Sequence, residues 1–573
     1  MAKDLRRARR EADTFNYKLR GGIKYILEPT FEQVIEILHT WHILFDEWST
    51  DIETARVQIE CIGIAVTDEL AMCIPFMDPR KPDWCYWTFE QEMYIRGLLK
   101  FYLTHPRRQI IGQNFDYDMQ YFIARYGFWP KVKWDTMIMS HILYCELPKS
   151  LDYLARLWAK EYVYWKDDGK IVDFKTPPRQ RWEYNCRDCC YTLEIAHVLK
   201  EQLRQQNMLH VYEHRVDSLL PEVVKAMLRG IRVNKQSQAN FAQSIDTWIN
   251  KTQDELDFVL QHPIKTNSPK QMKELFYADF GVKEIISRKT GNPTVDDEAL
   301  ETIEKRNVLL RPITRRIRNM RTAKVFLSNY GEMTTDADSR ARTYYRVAGT
   351  VTYRFSSSEN VFGSGRKLQN IPRHDDEPEH WQYVPPHIKE MFEADPGFIL
   401  CEADLERADL VVVTEEINDN ELRAMLREGA DVHTEHAKML TGRSSISDTL
   451  RTKLKELVHG TNYGGSPYGV ASRIGLTVAE CEHFQRRYFS MRPGVKQWHH
   501  RTRIELDTTR RISNCFGYRR IFFDRIEGKL GEALAWRPQS VVGEVINRGW
   551  INLARDVPEA QVLLQVHDSI VFQ

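Results

Sequence analysis

The chain has 573 residues, of which 42% are hydrophobic and 28% charged, with a formal net charge of +1. At about 100–200 residues per domain this length predicts three or more domains, and the composition is that of an ordinary globular protein. No apolar run approaches the roughly 20 residues of a membrane helix, so no membrane partner is expected; the balanced charge excludes a uniformly basic nucleic-acid binder and leaves local basic faces as the only electrostatic grip.

In chain order, residues 1–24 open with MAKDLRRARREADTF. This segment is basic, contains acids and lacks an apolar core, so it reads as a solvated tail and not as a signal peptide. Ten irregularly spaced cysteines predict reduced thiols and a cytoplasmic location, in a bacterium or an infected host cell. Cys186, Cys189 and Cys190 form one C-x-x-C-C group with no second pair to complete a zinc site, and they read as ordinary helix thiols.

Residues 25–205 begin with a strand-rich stretch, WHILFDEWSTDIETARVQIECIGIAV. Within it, Asp51 and Glu53 stand two apart on a strand and point the same way. Two carboxylates side by side repel unless a cation neutralises them, which predicts a metal site. Further on, GQNFDYDMQYF supplies Asp116 and Asp118. EYNCRDCCYTLEI supplies Tyr184 and Asp188 on one helical face. In that order these fragments resemble the three motifs of DnaQ-like proofreading exonucleases, D-x-E, N-x-x-x-D and Y-x-x-x-D, with Asn114 opening the second motif and Asp118 as its acid. LDYLA at 151–155 also fits the family. The resemblance implies that Asp51, Glu53, Asp118 and Asp188 hold two Mg²⁺ or Mn²⁺ about 3.5–4 Å apart, that Tyr184 orients the attacking water, and that the substrate is a single-stranded 3′ end.

From about 206 to 330 an amphipathic helical region is predicted. Ile313, Ile317 and Met320 mark one face, and Arg311, Arg315 and Arg318 another, read either as a solvated face or as a track for DNA phosphates. FILCEAD reads as a strand ending at Asp404, and ERADLVVVTEEI as the helix after it. KLQNIPRHDDEPEHWQYVPPHIKE reads as an exposed loop. LRTKLKELVHG reads as a helix on which Arg451, Lys455, His459 and Tyr463 make one cationic and aromatic stripe, suited to a triphosphate, base and sugar. QVLLQVHDSIVFQ reads as two strands around a tight turn that carries Asp568. Gly460 and Gly464 leave room for a ligand or a neighbouring backbone.

This set resembles the family A, or polymerase I-like, DNA polymerases over about 206–573. Motif A appears as DLERADLV from Asp404, motif B as RTKLKELVHGTNYG from Arg451, and motif C as VHDS from Val566. TVTYRFSS, KLQNIP, DVHTEHA, NSPKQMKELF and SRKTGNPTVDDEAL match further elements in the expected order. The implied architecture is α/β and α+β multidomain: an RNase H-like exonuclease domain (25–205), then a right-hand polymerase domain (206–573) with thumb at about 206–340, palm at about 341–430 and 537–573, and fingers at about 431–536. The implied reaction is attack of a primer 3′-OH on the α-phosphate of a dNTP. Asp404, Asp568 and the Leu405 backbone would hold two Mg²⁺. Arg451, Lys455 and His433 would meet phosphates, and His459, Tyr463 and Asp409 the nucleoside. Arg354, Gln369, Asn370, Gln539 and His567 would touch primer or template. The expected protein is a monomeric, phage-type proofreading polymerase. The alternatives weighed are a processing nuclease whose second half only binds, a single-subunit RNA polymerase and a non-catalytic nucleic-acid binder. The chain departs from the family pattern at Asp409, where the family has Glu, at His459, where it has Phe or Tyr, and at Ser569, where it has Glu. The histidine is expected to vary its charge near neutral pH. The chain ends at Gln573, which predicts that a last palm segment is missing from it.

Overall fold

The computed structural model describes residues 23–167, 178–287, 289–371 and 388–573. The reading of a solvated tail, except for its last residues, and most of the loop reading at 367–390 lie outside the described residues. The first half is built on a six-stranded sheet of β1 (Lys24–Ile26), β2 (Glu47–Ala55), β3 (Gln58–Ala65), β4 (Leu70–Pro75), β5 (Gln109–Gly112) and β6 (Val132–Asp135), in the order β1-β4-β3-β2-β5-β6. β2 pairs antiparallel with β3 and parallel with β5, so it lies inside the sheet with both faces covered. β3 is accordingly a buried run, QIECIGIA.

Four helices of this half bear on the argument. α1 (Phe31–Leu44) and α2 (Phe89–Leu103) both start at threonine capping boxes. α3 (Phe115–Tyr121) follows Asn114, which holds φ +58°. α4 (Pro178–Gln205) crosses β3 and β2. The crossing depends on Gly63 of β3. A Cβ there would lie 2.4 Å from Asn185 Oδ1 and 2.7 Å from Cys189 Sγ. Glycine thus lets α4 press against the strand beside Asp51, and it brings the helix's motif residues over D-I-E. Cys186, Cys189 and Cys190 are buried in that contact.

The helical region after residue 205 is interrupted. α5 (Leu220–Arg229) stops at Gly230, whose φ of +65° no β-carbon residue adopts easily. The β-branched β7 (Ile231–Val233) follows and pairs with residues 340–341 and 392–393. Two long helices, α6 (Lys235–Leu260) and α7 (Arg311–Phe326), then pack around Phe241, Ile245, Ile317 and Met320. The arginines of α7 are partly exposed, and Arg315 and Arg318 among them are held in ion pairs. Arg315 Nε lies 2.6 Å and Arg318 Nη1 3.3 Å from Glu304, and Arg318 Nε lies 2.8 Å from Asp297.

The C-terminal part holds β8 (Cys401–Asp404), α8 (Ala408–Ile417), α9 (Asp448–Asn462), α10 (Pro467–Ile474), α11 (Leu530–Asp556), β9 (Val562–Val566) and β10 (Ser569–Phe572). β8, β10 and β9 form one antiparallel sheet in that order. α8, α9 and α10 bury Leu410, Val413, Leu454, Leu457 and Val470 in a core of their own. The two halves of the chain nevertheless share one hydrophobic core, in which Trp48, Ile110 and Leu199 are continuous with Tyr345, Tyr353, Trp536 and Trp550. Buried Arg215 ties that junction by donating to the carbonyls of Val347 and Tyr353.

Candidate active sites

The first site lies where α4 crosses β2. Carboxylate oxygens of Asp51, Glu53 and Asp188 lie within 4.8 Å of one another. Asp118 approaches from α3, and its Oδ1 accepts from the Ile52 backbone N–H at 2.9 Å. Asp116, two residues earlier, turns the other way: with Asn114 it accepts from the Tyr344 hydroxyl at 3.1 Å, across the junction between the halves. Burial first, and the Asp188 charge second, push the Asp51 carboxyl above the ordinary range. Burial with Asp51 and Asp188 does the same to Glu53, and burial with Asp51 to Asp118. Such a set of hard oxygen donors, held close and destabilised as anions, suits a divalent cation.

Two partners of this site carry no motif signal. Asn185 Nδ2 donates to Asp51 Oδ2 at 2.8 Å. Lys166 Nζ donates to Asp188 Oδ2 at 2.6 Å and to the Tyr184 hydroxyl at 2.7 Å. Lys166 reaches the site from the loop ahead of α4, beside Trp165. Asn185 does follow Tyr184 within the helix motif, and that adjacency is the only hint the chain offers.

The second site lies at the ends of β8 and β10. Asp404 faces Ser569 directly in the strand register. Asp568 occupies the turn before β10, after His567 at φ +56°. The Leu405 N–H donates to the Asp568 carbonyl at 3.1 Å, which locks the two strand ends together. Both aspartates are therefore carried at neighbouring strand ends, Asp404 exposed and Asp568 half-buried.

Beside them is a cleft of about 610 Å³ lined by Asp409, Lys455, His459, Tyr463 and Arg473, among others. Three polar groups here are buried without a hydrogen-bond partner among the described residues: the Tyr463 hydroxyl, Asp409 Oδ1 and Arg354 Nε. Arg354 Nη2 stands 3.7 Å from Asp409. Unsatisfied buried groups are costly, and they mark a place where a polar ligand completes the network. Arg451 is engaged with Asp431, with Nε and Nη2 each 2.9 Å from its carboxylate, so it must exchange that partner to meet a phosphate. Burial and the neighbouring Lys455 hold His459 below its usual pKa, and burial with His459 pulls His433 down to about 4. Both shifts run against the expectation of a His459 charge that varies near neutral pH, because burial and Lys455 favour the unprotonated ring.

The residues expected to touch DNA are distributed unevenly. Asn370 and His567 are exposed, and Gln539 and Arg354 are half-buried. Gln369 is buried and donates to Gln565 Oε1 at 2.8 Å, so the open edge of that turn belongs to Asn370.

Comparison with known proteins agrees with this layout. The family described as DNA polymerase family A matches residues 235–573, and a 3′–5′ exonuclease family matches residues 31–204. The chain is 25% identical over 494 residues to DNA polymerase I of Rhizobium leguminosarum, covering 81% of this chain and 46% of that protein. It is 24% identical over 562 residues to DNA polymerase I of Pseudomonas aeruginosa, covering 93% of this chain and 59% of that protein. The chain thus spans about half the length of these relatives. A solved structure of the POL domain of Pol1 from M. smegmatis, in complex with DNA primer-template and dNTP, superposes with a TM-score of 0.77 at 19% identity, covering 96% of this chain and 93% of that one.

Proposed function

From the premise that this chain belongs to DNA polymerase family A and carries a 3′–5′ exonuclease domain, we propose that it extends a primer 3′-OH with dNTPs on a DNA template at the Asp404 and Asp568 site and removes 3′-terminal nucleotides at the Asp51, Glu53 and Asp188 site. The observation that carries the reading is the placement of Asp404 and Asp568 on locked strand ends beside the cleft of Lys455, Tyr463 and Asp409. The working place of such an enzyme is the DNA-containing compartment of a cell. Primer extension and primer degradation by wild type, Asp404→Ala and Asp51 variants test it, with the outcomes set out in the Discussion.

Asp404, Asp568 and the Leu405 carbonyl would hold Mg²⁺ at the polymerase site, and Asp51, Glu53, Asp118 and Asp188 at the exonuclease site. Mg²⁺ there supplies neutralising charge and a more acidic attacking hydroxyl or water. Lys455 and Arg451 neutralise the triphosphate and the charge that builds on the leaving pyrophosphate. Tyr463 and His459 bracket the nucleoside. At the other site, Tyr184 and Lys166 fix the geometry around Asp188. The template supplies sequence information, so the protein reads duplex shape.

Asp409 stands where the family pattern has Glu, one methylene longer, beside the sugar. One methylene in a pocket is worth roughly 10–200-fold in discrimination. Wild type is expected to admit ribonucleotides more readily than Asp409→Glu, by about tenfold. Paired dNTP and rNTP incorporation rates measure this, and equal discrimination by the two proteins removes the idea.

His459 offers a neutral, hydrogen-bonding ring where the family has a purely stacking or phenolic one. His459→Phe is expected to change preference among sugars or bases several-fold, and to leave the pH profile above neutrality unchanged because burial and Lys455 disfavour protonation of the wild-type ring. Single-nucleotide insertion kinetics across pH check both parts. A profile that differs from wild type above neutral pH contradicts the neutral ring.

A further inference from the structure

We propose that Glu402 supplies to the polymerase site the carboxylate that Ser569 lacks. The inference rests on the polymerase reading above and deepens it.

Ser569 occupies the place of the family's motif C glutamate, and it lies directly across from Asp404 in the strand register. Directly opposed residues of antiparallel strands share a face, and so do residues i and i+2 of one strand. Glu402, two residues before Asp404 on β8, therefore lies on the face of Asp404 and is the diagonal neighbour of Ser569. Such diagonal neighbours are about 7–8 Å apart, within reach of a long side chain. The side chain does cross that gap: Ser569 Oγ lies 3.0 Å from Glu402 Oε1 and 3.1 Å from the Val566 carbonyl, so its hydroxyl has two acceptors within reach. The negative charge stays on the same face of the same sheet, but it comes from β8 instead of β10.

The other oxygen of Glu402 lies 3.1 Å from Lys389 Nζ, with the two side chains 40% and 41% exposed. A pair that exposed contributes little to stability. It does not explain why Glu402 also reaches across to the almost fully buried Ser569 hydroxyl. A third carboxylate beside Asp404 and Asp568 raises the negative potential that draws a divalent cation and its nucleotide to the strand ends. Glu402 is thus a positioning residue for the cation-bound nucleotide.

Glu402→Gln keeps the acceptor for Ser569 and removes only the charge. Two readouts separate the roles. One is formation of the enzyme–primer–template–dNTP complex as a function of Ca²⁺, which reports binding without turnover. The other is the Mg²⁺ concentration for half-maximal extension. Glu402→Gln is expected to raise both concentrations about tenfold, as loss of one nearby unit charge would. Degradation of single-stranded DNA by the same protein is expected to be unchanged. Glu402→Ser should show the same shift, and Glu402→Ser combined with Ser569→Glu should recover most of the wild-type dependence. Lys389→Met, which removes the ion pair and keeps the carboxylate, should not weaken the Ca²⁺ dependence.

A wild-type cation dependence in Glu402→Gln overturns the proposal. So does a double exchange no better than Glu402→Ser, or a loss in Lys389→Met equal to that in Glu402→Gln. Failure of the underlying reading is a separate result: full primer extension by Asp404→Ala.

Discussion

Asp404→Ala is expected to abolish primer extension, lowering its rate roughly 10³-fold or more, while leaving 3′-end degradation within a factor of about two. Losing an outer-sphere partner of a metal site typically costs roughly 10–100-fold, and Asp404 stands at the centre of the proposed site, so its removal costs more. The separation of effects follows from the fold. Asp404 closes β8 of the C-terminal sheet, whereas the Asp51 cluster sits on a different sheet. Asp404 is also exposed, so its truncation opens no core cavity and the protein should keep its melting temperature. Asp568→Ala should behave likewise in extension. Parallel gel assays of extension and degradation, with a thermal melt of each variant, measure all three quantities. Extension that survives in both variants would leave a nuclease whose second half only binds. Degradation lost together with extension would show that the substitution acts through the shared core.

How much of this was legible in sequence depended on whether a side chain announces its neighbours. Asp51 with Glu53, and Tyr184 with Asp188, sit at spacings set by strand and helix periods, so the shared face of each pair is written in the chain, whereas the meeting of the two pairs was implied by the exonuclease resemblance. The same holds for the stripe from Arg451 to Tyr463, which the structure keeps on one helix beside Asp409. Contacts between segments with independent spacing were not legible. Lys166 meets Asp188 only because the loop folds back over α4. The arginines of α7 meet Glu304 and Asp297 only because another helix packs alongside. Gln369 turns inward because Gln565, far along the chain, offers it a buried acceptor. Glycine absence misleads as well. The family pattern T-x-x-G-R-x-S-S places a glycine where this chain has Tyr353, yet the backbone there still holds φ +62°. A non-glycine residue in that region costs on the order of 1–3 kcal/mol. The buried ring offsets the strain, with its hydroxyl donating to the Arg519 carbonyl at 2.8 Å and its face against Tyr518 at 4.3 Å between centroids. Local spacing and the family motifs thus pointed to the carboxylates, and tertiary packing decided which polar neighbours meet them.

Asp51→Asn should separate catalysis from stability in the opposite sense to most active-site changes. Degradation of a 3′ end is expected to fall roughly 10³-fold, for the reason given for Asp404, while extension persists. Stability without divalent metal should rise at neutral pH. The sign follows from linkage: burial and Asp188 raise the Asp51 carboxyl in the folded state above its ordinary value near about 3.9. A carboxyl raised in this way contributes fully below its unfolded pKa, and that contribution is lost as pH climbs through the folded one. At neutral pH the wild-type cluster therefore carries repulsion that folding must bear, and the amide removes part of it. Asn185 can still donate to the amide oxygen that replaces the Asp51 carboxylate, so the local hydrogen bond at 2.8 Å need not be lost. Adding Mg²⁺ or Mn²⁺ should reverse the order, because the cation stabilises the wild-type cluster by binding the folded state alone. Melting curves with EDTA and with a divalent cation, at pH 5 and pH 8, measure this. The expected result is a variant more stable than wild type in EDTA at pH 8, with a smaller gap at pH 5 and a reduced metal-induced shift. A metal-induced shift in Asp51→Asn equal to that of wild type would mean that the cluster of Asp51, Glu53 and Asp188 is not where the cation binds.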